Sequence, residues 1–182
     1  MLRRLAIVLT LLFIGIAAPA RAELQLEIVE YGLYSVEIAN RSPTADGVGR
    51  SAVRNVCHLA TTTTVPAKLD VDFGLRFRVR GVPPGEVVSL IKVVVFPREV
   101  TPPGGPAPIR SYARTFNQRA GELAYIGYGF DAAWELMPGV WTFQLFAEKR
   151  LLLEQRFTVV EGTEMPASTA ARSRDCFQVS SL

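Results

Sequence analysis

Residues 70–80 alternate so regularly that one backbone geometry suits them. Phe73, Leu75, Phe77 and Val79 share one parity, while Gly74, Arg76, Arg78 and Arg80 share the other. In an extended chain successive side chains leave the backbone on opposite sides, so this pattern is a strand with one buried face. The constraint spreads along the chain. A half-buried strand needs neighbours to pair with and a second layer to cover its apolar side.

The neighbours are legible in the same way. Leu24–Ala39 alternates at its start and is interrupted by Gly32, as at a bulge. Residues 41–50 hold Ser42, Pro43, Asp46, Gly47 and Gly49 and read as a loop. Val53–Val65 includes the threonine run Thr61–Thr64, and Pro66 after it marks a sheet edge. Val87–Phe96 is almost continuously apolar and is expected to be a central strand. Pro97–Pro108 carries five prolines and two glycines and is expected to be a stiff unpaired loop. Ile109–Asn117 and Glu122–Phe130 are expected to pair around Arg119–Gly121. Asp131–Met137 reads as one helical turn with Asp131 as its N-cap. Val140–Ala147 and Leu152–Val160 close the chain as a hairpin about Glu148–Arg150, with Trp141, Phe143 and Leu145 on one face. Some seven to nine strands with turns at short intervals predict an all-β sandwich or barrel.

Ahead of the strands stands a different kind of segment. Arg3 and Arg4 precede an uncharged apolar run, Leu5–Ala18, and Ala20-Arg21-Ala22 supplies the small-x-small pattern of signal peptidase. The run is short of the roughly 20 residues that span a bilayer. Glu23 stands where a lipoprotein would carry cysteine. Residues 1–22 are therefore expected to be a cleaved signal peptide, 23–160 the β-domain and 161–182 a flexible C-terminal tail. The mature protein is expected in the periplasm or secreted, with no membrane span after cleavage. Cleavage also changes the charge. The 20 basic residues exceed the 17 acidic ones by three, and Arg3, Arg4 and Arg21 leave with the leader. The mature chain is near neutral, which removes the basic excess that nucleic-acid binding needs. Export also lets Cys57 and Cys176 pair as a disulfide, the alternative being two free thiols.

Three stretches carry a family resemblance. They are Phe73-Gly74-Leu75-Arg76-Phe77-Arg78-Val79 with the preceding Val65-Pro66-Ala67-Lys68-Leu69, the pair Phe96-Pro97, and residues 128–159, which include Trp134, Pro138-Gly139, Trp141 and Phe143. Over about residues 55–160 the chain resembles a bacterial family of exported proteins, the domain of unknown function numbered 3859. The resemblance implies an immunoglobulin-like antiparallel β-sandwich and an exported protein, and it supplies no catalytic residues. Cys57, Cys176 and the segment after Val160 depart from that family's pattern, so a disulfide draws no support from it.

Motifs for chemistry are scarce. His58 is the single histidine, and no G-x-S-x-G elbow accompanies it. Cys57 and His58 are adjacent on a strand and point apart, which argues against a dyad. No phosphate loop or dinucleotide glycine pattern occurs. Asp70 and Asp72 share a face but lack the oxygen-rich loop of a calcium site. Asn40-Arg41-Ser42 matches a glycosylation sequon, relevant in a eukaryotic secretory pathway alone. Glu122, Asp131, Glu135, Glu148 and Glu154 are the acids from which a glycosidase pair would be drawn. No catalytic, cofactor-binding or metal-binding residue is assigned, and no cofactor is expected. The candidate binding surface is the arginine ladder Arg76, Arg78 and Arg80, together with Tyr125 and Trp134. Gly127 and Gly129 leave backbone open beside Tyr125, for a packing neighbour or a partner. The expected function is a non-catalytic module binding a protein or an envelope component, with Thr61–Thr64 and Pro97–Pro108 as contact elements. The alternatives are a glycan or small-molecule module and, third, a hydrolase with a carboxylate pair.

Overall fold

A computed structural model describes residues 23–162 and 176–177. The expected leader, residues 1–22, and most of the expected tail lie outside the described residues. Ten strands form two five-stranded sheets: β1 (Gln25–Ser42), β2 (Arg50–Ala60), β3 (Thr64–Pro66), β4 (Asp72–Arg80), β5 (Val87–Val100), β6 (Ile109–Arg119), β7 (Leu123–Gly129), β8 (Gly139–Ala147), β9 (Arg150–Val160) and β10 (Cys176–Phe177). One sheet runs β10-β2-β1-β4-β7 and the other β3-β9-β8-β5-β6. All pairings are antiparallel except that of β3 with β9.

The alternation in β4 performs as its sequence demands. Phe73, Leu75, Phe77 and Val79 are fully buried against Leu90, Val94 and Phe96 of β5, Trp141, Phe143 and Leu145 of β8, and Phe157 of β9. Trp141 sits 5.0 Å from Phe96 and 4.9 Å from Tyr128 between ring centroids, and its indole N–H donates to the Met137 carbonyl at 3.0 Å. The indole thus fills the core without leaving a buried donor unmet. Gly32 has φ +140°, and a Cβ there would lie 1.8 Å from the Ala60 carbonyl oxygen, so the close approach of β1 to β2 needs glycine. The β8–β9 hairpin turns at Glu148 and Lys149, whose φ of 49° and 67° fit a two-residue turn matched to strand twist.

Four expectations are corrected. β6 and β7 follow each other in sequence but pair with β5 and β4, in opposite sheets. The chain crosses layers at residues 120–122 instead of making a hairpin. Pro97 lies inside β5, because pairing with β8 stops at Val95 and pairing with β6 skips from Val95 to Val100. A missing N–H costs nothing in that gap. Thr61–Thr63 form no strand, and the sheet edge is the shorter β3, beginning at Thr64. The 3₁₀ turn Ala133–Glu135 is capped in the reverse sense to expectation: Ala132 is the N-cap, and the Glu135 carboxylate reaches back to accept the N–H groups of Asp131 (2.5 Å) and Ala132 (2.8 Å). Glu135 also accepts the Tyr128 hydroxyl at 2.7 Å and is 5% exposed. Burial raises its pKa, and the three hydrogen bonds oppose that. Glu135→Ala strands a buried hydroxyl and loses the turn's cap. It is expected to cost about 1–3 kcal/mol in denaturant unfolding.

A cleft where one sheet forks

β1 is the element that shapes the candidate site. Its first half pairs with β4, ending at Tyr34 opposite Asp72, and its second half pairs with β2 as far as Ser42 opposite Arg50. Beyond Tyr34 the β1–β4 ladder ends and β1 runs on paired with β2 alone. A cavity of about 290 Å³ opens in the fork, lined by Tyr34, Val36, Ile38 and Arg41 from β1 and by Asp70, Asp72 and Asp131 opposite. Asp70 precedes β4 with φ +62°, and its N–H donates to the Phe130 carbonyl at 3.0 Å. That bond brings the segment after β7 alongside the start of β4 and sets the three carboxylates around one space.

The charge of the cleft is unbalanced. Arg41 binds Asp131 at 2.8 Å and is, among the described residues, the only basic one lining it. The Asp72 carboxyl is pushed up to about 7, first by burial and then by the charges of Asp131 and Asp70, with Arg41 opposing. An opposite charge brought close to such a carboxyl favours its ionised form. Among the described residues, no group of three or more His, Cys, Asp or Glu side chains is placed to hold a metal ion.

The sequence-derived candidates are held in different surroundings along β4, β7 and the turn after β7. Arg76, expected on a solvated face, is 4% exposed. It pairs with Glu30 at 2.5 Å, and its guanidinium lies 5.0 Å from the Phe177 ring and 5.7 Å from the Tyr34 ring. The ladder is answered across the strand pair, where Glu30 faces Arg76 and Glu27 faces Arg78. Arg80 reaches Glu27 at 2.7 Å. Tyr125 packs edge-on against Tyr34 at 4.9 Å and lies over Gly127, where a Cβ would come 2.0 Å from its hydroxyl. The open backbone is therefore filled by the chain's own tyrosine. Asp72 covers Gly129 in the same manner. Trp134 is half-exposed in the 3₁₀ turn after β7, near the Asp72 end of β4. Arg80 ends the same strand eight residues on, about 26 Å away.

His58 is 6% exposed. Its Nε2 lies 3.2 Å from the Tyr31 carbonyl, its Nδ1 lies 3.9 Å from Glu30, and its ring packs on Tyr34. Cys57 is joined to Cys176 in a disulfide, so it offers His58 no thiolate. Sequence reading weighed Asp70 and Asp72 for calcium alone. It missed the cleft, because Asp131 and the fork in β1 are brought to them by pairing partners far apart in the chain.

Comparison with known proteins gives the fold a context. A family model for a domain of unknown function, DUF3859, matches residues 22–159. A crystal structure of an immunoglobulin-like protein from Pseudomonas aeruginosa is 26% identical, with a TM-score of 0.52 over 78% of this chain and 99% of that one. No curated protein matches. The two-layer architecture is thus an immunoglobulin-like sandwich. Among the described residues no helix is long and apolar enough to cross a membrane.

Proposed function

This chain belongs to the DUF3859 family, which is defined without a function, and from its own geometry we propose that it is a non-catalytic binding module whose cleft takes a basic segment of a protein partner. One observation carries the reading. Three carboxylates line the fork, and the one guanidinium lining it among the described residues, Arg41, already sits on Asp131. Arg41 displays in cis how the cleft receives a cation, and Asp70 and Asp72 are left to receive another. The backbone of β1 beyond Tyr34 has no β4 partner on that side. An unpaired strand flank favours an extended segment, whose main chain it can hydrogen-bond. Export through the leader would place this partner in the periplasm or outside the cell.

The experiment is hydrogen exchange with and without an alternating Lys-Thr peptide. Added protection at residues 35–42 and 70–72 supports the reading. Protection elsewhere, or none, counts against it.

A hydrolase reading has one observation in its favour, since a carboxyl with raised pKa beside other carboxylates is the pattern of an acid/base pair. The lining argues against a sugar subsite. Tyr34 and Phe130 are 2% and 0% exposed and offer no stacking face. Asp72-dependent turnover of aryl glycosides would reverse this preference.

A further inference from the structure

The last described strand ends on the opposite edge of the same sheet. β10 pairs with β2 at two positions, Cys176 opposite Cys57 and Phe177 opposite Val56, and the disulfide joins the first of these pairs. Phe177 covers the Arg76 guanidinium, and Val56 beneath it is fully buried yet outside the hydrophobic core cluster. β10 therefore occupies a small acceptor site on the outer face, built from β2's edge, Val56 and Arg76. None of the core residues comes from β10. Cys176 itself is exposed.

We propose that β2's edge is a strand-acceptor site, filled by β10 in the closed monomer and by the same segment of a second copy when the disulfide opens. Nothing in the contacts specifies which chain supplies the strand. The sulfur pairing, the ring over Arg76 and the ladder positions are the same in cis and in trans. Fifteen residues separate Val160 from Cys176. Such a connection reaches at most about 50 Å, enough to pass to a neighbouring domain. The exchange needs no oxidant once a thiol reductant has supplied the two electrons that open the bond of one copy. A Cys57 thiolate of that reduced copy attacks Cys176 Sγ in the disulfide of a second copy. The new S–S bond forms between copies, the old one breaks, and the electron pair leaves on the second copy's Cys57 as thiolate.

The test uses the full chain with Cys176→Ser, which frees Cys57, and a synthetic peptide of residues 173–182 supplied as its glutathione mixed disulfide. The peptide is expected to join Cys57 at least tenfold faster than the same peptide with Phe177→Ala, as read by intact mass. Equal rates for the two peptides overturn the proposal. Where Cys176→Ser fails to fold, judged by Trp fluorescence, wild type reduced with a dithiol and then freed of it replaces the variant. Loss of the fold on reduction also overturns the proposal, because the bond would then hold the sandwich itself.

Discussion

Phe73→Ala is expected to cost about 3–5 kcal/mol in denaturant unfolding, the range for removing a fully buried phenylalanine. The ring has no solvent exposure and touches rings supplied by both sheets. Its centroid lies 5.2 Å from Phe130, 5.5 Å from Phe143, 5.3 Å from Phe157 and 5.9 Å from Trp141. Truncation loses the transfer free energy of the ring and leaves a cavity that four rigid neighbours cannot fill. A domain of this size has about 5–15 kcal/mol in total. The variant is therefore expected to be partly unfolded or nearly so, with a midpoint far below wild type. A loss under about 1 kcal/mol would contradict the packing of β4 between the layers.

Asp72→Asn is expected to act in the opposite direction on stability, and in a pH-dependent way. The folded-state pKa of Asp72 is about 7, against an ordinary value of 3.8. The folded protein thus binds more protons than the unfolded chain between these two values. Wild-type stability falls as pH rises from about 4 to about 7 and then levels off. Asparagine has no charge to desolvate. The variant is expected to match wild type near pH 4 and exceed it by on the order of 2–4 kcal/mol at pH 8. Paired thermal or denaturant melts at the two pH values give the result. A constant difference would show that the carboxyl does not carry the desolvation described for it.

The architecture was legible wherever one local pattern sufficed. The alternation of β4 and the Trp141–Leu145 face are properties of a few consecutive residues and formed as their sequence demands, while the turn expected over Glu148–Arg150 is shorter, because Arg150 already opens β9. Pairing partners were less legible. β6 and β7 are separated by a turn that a hairpin would also use, and their placement in opposite sheets depends on how β4 and β5 are arranged. Pro97 was read as a loop residue because sequence does not show where ladder pairing lapses. The binding residues were the least legible. Arg76 carries the polar parity of its strand, yet Glu30 and Phe177 bury it from 46 and 101 residues away in sequence. Asp70, Asp72 and Asp131 look like ordinary strand-end acids until the fork in β1 gives them a common space.

In the proposed reading the fork between β1 and β4 receives a cation from a protein partner. Its most direct test is the affinity of the Lys-Thr peptide for wild type and for Asp72→Asn, measured by calorimetric titration at pH 8. Wild type is expected to bind, with affinity falling as pH drops below about 7 and Asp72 takes up its proton. Asp72→Asn, although the more stable protein, is expected to bind at least tenfold more weakly. Equal affinity for the two proteins, or equal affinity of wild type for a Glu-Thr peptide, would contradict the account.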